Sequence, residues 1–280
     1  MKKLFLIILL IITGKISHAQ FYLQPRQTLN VAITSTEEPV VQTALQIFSR
    51  DYQAVFSGRV LTDSLKGNII VGTIGKSRLL ENILVDNATL YEKKQGFMLK
   101  VLKDGRLLVV GNDSHGTAYG LMELSRLIGV SPWEWWADAT PEKKTSFRLP
   151  TDYTDIQFPS VEYRGIFIND EDWGLMPWSS LTHEPWYKPG RIGPRTHERI
   201  FELLLRLRAN TYWPAMHECT EPFFMTQGNR EVARKYGIYI GSSHCEPMAC
   251  STPVEWKRRG KGDYDLSLIH ISEPTRHLRI

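Results

Sequence analysis

Cysteine is scarce in this 280-residue chain: Cys219, Cys245 and Cys250 are the whole supply. A set so sparse and odd in number is no disulfide framework of the kind that staples small secreted domains. One pair could bridge outside the cytoplasm, and the sequence does not select it. An excess of one charge is also missing. Lys and Arg total 34 against 30 Asp and Glu, a net charge of +4, and the basic residues are scattered along the chain. A nucleic-acid binder gathers its cations into a stripe or arm, so no nucleic-acid partner is expected. Apolar runs of membrane-spanning length are absent too: Leu4 to Ile12 has nine residues, too few to cross a bilayer. What remains, 42% hydrophobic and 23% charged residues, is the composition of a globular protein and excludes a disordered chain. The length suits one large or two ordinary domains.

The start of the chain points to export. Lys2 and Lys3 precede the apolar run Leu4 to Ile12, and Ser17-His18-Ala19 places small residues at the −3 and −1 positions before Gln20. This is the layout of a secretory signal peptide over residues 1–19. The mature protein is expected in the periplasm or outside a bacterial-type cell, with no membrane attachment after cleavage.

Residues 20–150 alternate strand and helix patterns, which predicts an N-terminal α/β domain closed by a tryptophan-rich connector. Thr28 to Thr34 reads as a strand. Ser35 and Glu38 fit a capping box, and the helix after them should bury Val40, Ala44 and Ile47. Asn68 to Gly72 is a short β-branched strand. Gly96 to Leu102 and Arg106 to Val110 flank Lys103-Asp104-Gly105, a hairpin signal. A helix from Thr117 to Leu127 should stop at Gly129. Trp133, Trp135 and Trp136 then crowd together. Their area suits cement between two domains, and the alternative is a platform for sugar rings.

From residue 151 the rhythm becomes strand, loop, helix. The strands are Val161 to Ile168, Asn210 to Met216 and Ile238 to Ser243. A long loop should run to Pro194. The helix Thr196 to Arg208 should then present Ile200, Leu203, Leu204 and Leu207 on one side. Asn229 is a plausible N-cap for Arg230 to Tyr236, which ends at Gly237. Thr252, Pro253 and Glu255 match N-cap, N1 and N3 of a further helix. Three consecutive βα units argue for a parallel sheet with helices outside. The expected fold class is therefore α/β. Residues 151–265 would be the first three βα units of a truncated TIM (β/α)8 barrel.

Each of these strands ends in polar residues: Asn169-Asp170-Glu171-Asp172-Trp173, His217-Glu218-Cys219 and His244-Cys245-Glu246. In a (β/α)8 barrel the loops after the strands form the active-site face. Glycoside hydrolysis needs two carboxyl groups, one protonated and one ionised. Asp170, Glu171, Asp172, Glu218 and Glu246 are the catalytic candidates, and spacing does not choose between them. His217 and His244 suit hydroxyls or a substrate carboxylate. Trp173, Trp178, Trp186 and Trp213 suit stacking on sugar rings, with core packing as the plainer role. His217, Cys219, His244, Cys245 and Cys250 are also zinc-ligand types, but they lack the paired CxxC spacing of structural zinc, so no metal is assigned.

Three stretches carry a family resemblance. They are Gly111-Asn112-Asp113-Ser114-His115-Gly116-Thr117-Ala118-Tyr119-Gly120, Ile128-Gly129-Val130-Ser131-Pro132-Trp133 and Tyr163-Arg164-Gly165-Ile166-Phe167-Ile168-Asn169-Asp170. With Asn210 to Glu218 and Ser243 to Met248, the chain resembles glycoside hydrolase family 115 over roughly residues 25–265. The resemblance implies an exo-acting, inverting α-glucuronidase that removes glucuronic acid or 4-O-methylglucuronic acid side chains from xylan. It implies no cofactor, glucuronoxylan or its oligosaccharides as partner, and a multidomain full-length form that can be a homodimer. It also implies that Asn169, Asp170, Glu171, His217 and His244 line the substrate pocket, which Trp213 would join as a stacking residue. Another exo-glycosidase of hexosaminidase-like layout and a non-catalytic glycan-binding protein are the competing readings.

The resemblance ends after Gly262-Asp263-Tyr264-Asp265. Residues 266–280 resemble translated sequencing-adapter sequence, and a non-native tail is expected there. A closed barrel takes about 250 residues and eight strands. The expectation is an inactive N-terminal fragment in which residues 21–150 fold alone.

Overall fold

A computed structural model describes residues 20–259 apart from 64, 82, 84–87, 170, 244–245 and 247–248, without the side chains of Glu171 and Arg259. The expected signal peptide and the tail 266–280 lie outside the described residues.

The N-terminal part is built on a six-stranded sheet of order β3-β2-β4-β6-β5-β8. Its strands are β2 (Thr28–Ala32), β3 (Arg59–Asp63), β4 (Ile69–Thr73), β5 (Phe97–Val101), β6 (Leu107–Gly111) and β8 (Thr154–Gln157). The pairs β3/β2, β2/β4 and β4/β6 are parallel, while β5 runs antiparallel to both β6 and β8. Every residue of β4 and β6 is buried, as expected of central strands covered on both faces. The hairpin forms with Val101 opposite Leu107. A separate pair joins β1 (Phe21–Leu23) to β7 (Phe147–Leu149). Residues on both sides of Pro150 thus complete the N-terminal layer.

One face of the sheet carries α1 (Pro39–Phe56) and α3 (Ser114–Leu127). α1 buries Val40, Ala44 and Ile47 as its spacing requires, and adds Phe48, Tyr52 and Val55. Each large side chain so buried contributes about 1.5–3 kcal/mol. The capping box is corrected. Glu38 is itself the N-cap, with no side-chain bond, and Pro39 opens the helix. Glu38 pairs with Lys76 at 2.7 Å. The neighbouring Glu37 is buried and accepts from Thr73 N and Oγ1 at 2.9 and 2.6 Å. α3 starts three residues before the predicted Thr117 because Asp113 caps it, accepting from Gly116 N at 2.9 Å. Gly129 adopts φ +103° just past its end. On the opposite face Ala32, Ile70, Met98, Leu108 and Val110 pack beneath α2 (Ala88–Glu92) and its Leu90.

The C-terminal part has a three-stranded parallel sheet of order β11-β10-β9: β9 (Gly165–Phe167), β10 (Thr211–Trp213) and β11 (Tyr239–Ile240). These strands are shorter than their apolar runs. The loop expected up to Pro194 instead begins with helical turns over residues 171–183, wide at Glu171–Leu175 and Ser179–His183 around α4 (Met176–Trp178). Stacking of Trp178 on His183 and a 2.7 Å bond between Ser179 Oγ and Thr196 Oγ1 hold this segment. In α5 (Pro194–Arg206) the buried stripe is Ile200, Phe201, Leu204 and Leu205, while Leu207 is exposed beyond the helix end. Asn229 is the first residue of α6 (Asn229–Tyr236) rather than its cap. It is buried and donates to Ile192 O and Phe223 O at 3.2 and 3.3 Å. The last helical turns, Thr252–Trp256 and α7 (Lys257–Arg259), start after Ser251, whose carbonyl accepts from Glu255 N and Trp256 N.

One continuous core runs from α1 and α3 into α5, β10 and α6 through Tyr119, Phe201, Tyr212 and Tyr236. Polar contacts reinforce it. Arg164 donates to Gln95 Oε1 at 2.6 Å and to Arg208 O at 2.8 Å. His115 bonds Gly237 O at 2.6 Å and stacks on Tyr239. No helix among the described residues is long and apolar enough to cross a membrane.

Candidate active site at the strand ends

The central strand β10 brings the polar clusters together. Because β9 and β11 both pair with it in parallel, the segments leaving all three strands emerge at one edge. Gly165 permits this. A Cβ there would lie 1.7 Å from Thr211 O, so only glycine lets β9 approach β10. Gly241 plays the matching part after β11, where a Cβ would meet Trp213 Nε1 at 2.1 Å.

Two predicted site residues from different strands touch. His217 Nδ1 lies 3.1 Å from Asp172 Oδ1. The bond sets the ring tautomer, with Nδ1–H directed at the carboxylate, and orients the imidazole. Both side chains are partly open, at 41% and 36% exposure, so solvent and a ligand reach them. Glu218 is exposed and stands 3.7 Å from Lys257 Nζ. Trp213 is exposed at the end of β10, edge-on to Phe167 at 5.8 Å. Asn169 is exposed at the end of β9.

Glu246 differs from the other carboxylates. It is buried in its turn, where its N–H donates to Ser243 O and its carbonyl accepts from Ser242 Oγ at 2.7 Å. Asp170 and His244 lie outside the described residues, as does the side chain of Glu171. Among the described residues no three His, Cys, Asp or Glu side chains converge on one point. Cys219 is exposed and Cys250 is buried.

The tryptophans divide by environment. Trp173 is 84% exposed, and Trp186 lies under Arg195 at 4.5 Å. Trp178 is packed against Trp135 and Trp136. Sequence reading missed Glu184, which is fully buried and accepts from Thr196 N and Oγ1 at 2.7 Å each, satisfying the start of α5. It lies within the stretch read as loop, and its one local sign is Gly193, where a Cβ would meet its carboxylate at 2.3 Å.

An α/β scaffold presenting carboxylates, an oriented imidazole and an exposed indole at the ends of parallel strands fits a protein of the glycoside hydrolase class. The comparisons specify which. Residues 157–273 match the model of glycosyl hydrolase family 115. The solved structure of BtGH115A, described as a family GH115 4-O-methyl-α-glucuronidase with specificity for decorated arabinogalactans, is 63% identical, with a TM-score of 0.86. The match covers 90% of this chain and 33% of that one, so the chain spans about a third of that relative's length. The Flavobacterium johnsoniae chitobiase of family GH20 aligns at 14% identity and a TM-score of 0.49, over 84% of this chain and 34% of the other. No curated protein matches. The chain belongs to glycoside hydrolase family 115.

Proposed function

We propose that the protein acts in exo-hydrolysis of α-linked glucuronic acid or 4-O-methylglucuronic acid side chains from a plant polysaccharide, with inversion at the anomeric carbon. Xylan and decorated arabinogalactan are the substrates to test. The observation that carries this reading is the Asp172–His217 pair at 3.1 Å, beside Trp213 at the ends of adjacent parallel strands. An imidazole whose Nδ1–H is held by Asp172 presents Nε2 to accept from a ring hydroxyl, and an exposed indole suits the apolar face of the sugar.

Inversion places one carboxylic acid at the leaving oxygen and one carboxylate at a water on the opposite face, roughly 6.5–9.5 Å apart. Asp170, Glu171, Asp172, Glu218 and Glu246 are this chain's candidates for the pair, with Asn169 and His244 as further contacts. This chemistry needs only protein carboxyl groups, so no cofactor is assigned. In this proposal β9, β10 and β11 with their helices are the first three βα units of a TIM barrel, residues 20–157 an accessory domain that includes β8, and residues 1–19 an export signal. Their support is the parallel order with consecutive strands adjacent, and the sequence pattern of the first residues.

The test is a chimera in which this chain replaces the matching third of BtGH115A. Uronic acid release from glucuronoxylan and from decorated arabinogalactan is measured by product chromatography. Release that disappears with His217→Ala supports the proposal. A folded chimera that releases no uronic acid from either polysaccharide removes it.

A further inference from the structure

Beside the strand-end residues the fold holds a second concavity of a different kind. An open cleft of about 820 Å³ lies between the tryptophan connector and the helical segment after β9. Trp135, Trp136 and Trp178 line it, with Glu134, Asp138 and Gly174. The rings are rigidly set. Trp135 meets Trp136 edge to face at 4.9 Å, and Trp136 Nε1 donates to Arg199 O at 3.1 Å. Trp178 is backed by His183, parallel within 7° at 4.8 Å. Each indole is thus held from behind while still bordering the cleft, which keeps the entropy cost of binding low.

The polar side chains lining the cleft are two carboxylates, Glu134 and Asp138, and the hydroxyl of Thr140. Glu134 is fixed by Arg50 at 3.5 Å and Arg206 at 3.8 Å. Asp138 is exposed and held at φ +51°, its carbonyl accepting from Thr140 N at 2.8 Å. Carboxylates accept hydrogen bonds from hydroxyls and repel anions, and indole faces stack on the C–H faces of pyranoses. The cleft and the Asp172–His217 pair share one segment: Asp172 stands two residues before Gly174 on the same run of helical turns.

We propose that this cleft binds an uncharged stretch of polysaccharide main chain, separately from the uronic acid recognised at the strand ends. The proposal rests on the glycan-hydrolase reading above and names the part of the substrate that the second surface takes. Main chains rich in xylose and in galactose share this chemistry, and the test distinguishes them.

Gly174 supplies a clean block. Gly174 lines the cleft and a Cβ there meets nothing within 4 Å, so a side chain can be added at this edge of the cleft. The 280-residue chain is titrated with xylohexaose and with a β-linked galactohexaose, both free of uronic acid, and tryptophan fluorescence and heat are followed. Binding of at least one is expected, weakened about tenfold or more by Gly174→Trp and by Asp138→Lys. Gly174→Ala and His217→Ala should leave it unchanged. Preference for one hexaose identifies the main chain.

Absence of binding to both overturns the proposal, as does binding indifferent to Gly174→Trp. A dimer in sedimentation that Gly174→Trp dissociates would assign the cleft to a second copy and also overturn it. So would hexaose binding that vanishes in the chimera, because the rest of the longer protein would then cover the cleft. Failure of the uronidase reading is separable: it removes uronic acid release without touching hexaose binding.

Discussion

Arg206 donates from its two terminal nitrogens to the two carboxylate oxygens of Asp51, each at 2.8 Å, across 155 residues of sequence. The pair ties α5 to α1, with both side chains almost fully buried. Glu202 adds a second acceptor at 2.8 Å. Burial pushes the Arg206 guanidinium pKa down, but Asp51 and Glu202 together raise it well above the usual arginine range. The N-terminal layer and the parallel sheet are therefore joined by a charge cluster as well as by apolar core. Asp51→Ala leaves the guanidinium half-paired in the interior and should cost about 3–5 kcal/mol. Urea unfolding measures this, and Asp51→Leu with Arg206→Met should recover a large part. Equal midpoints for Asp51→Ala and the parent chain would refute the coupling.

His197 predicts an acid-sensitive step. Burial pushes its ring down to about 4, against hydrogen bonds from the ring to Gly193 O and Asn229 Oδ1 that act in the other direction. An unfolded histidine titrates near 6.5. Because the folded value is the lower one, the unfolded chain takes up the proton first. The stability tied to the neutral ring is whole above about pH 6.5 and is lost as the pH falls toward 4, to a total of about 3 kcal/mol. The unfolding free energy of His197→Gln should fall less steeply between pH 7 and pH 4 than that of the parent. Parallel slopes would contradict this.

Gly165 is required by a backbone approach rather than by its own torsion. A methyl group placed 1.7 Å from Thr211 O must separate β9 from β10. Gly165→Ala should cost about 1–3 kcal/mol or more. Hydrogen exchange should show lost protection at Tyr212 and Trp213 with protection in β4 and β6 retained. Unchanged exchange in β10 would mean that the strands absorb the methyl.

Asp172 and His217 should act as a unit. In the chimera, His217→Ala is expected to lower kcat/KM for uronic acid release by tenfold or more, and Asp172→Ala by less. The double variant should be no worse than His217→Ala, because the carboxylate works through the ring it orients. Strictly additive losses would show two independent roles.

Much of the fold is legible along the chain because its signals are local. The run Leu107-Leu108-Val109-Val110-Gly111 is buried throughout and could only be a central strand. Lys103-Asp104-Gly105 closes the hairpin where expected, with Val101 opposite Leu107. Caps were read less well. Ser35, Asn229 and Thr252 are chemically suitable, yet Glu38, Gly228 and Ser251 hold the positions. Packing sets where each chain enters its helix, and the side chain of Asn229 serves Ile192 and Phe223 instead. The segment 171–183 read as loop because its helical turns are wide and stabilised by distant partners such as Thr196. Of the candidate site, residue types and strand-end positions were visible, because side chains after parallel strands share an edge.

Composition class, the alternation of strand and helix, the family and the polar residues following three strands are all written along the chain. These are short-range properties, carried by periodicity, turn chemistry and motif. Tertiary structure alone decided that Asp172 meets His217, that Arg206 meets Asp51, and that three tryptophans wall a cleft beside Gly174. Such contacts depend on strand order, register and helix approach. Those are set by how the whole core packs, and no single segment encodes them.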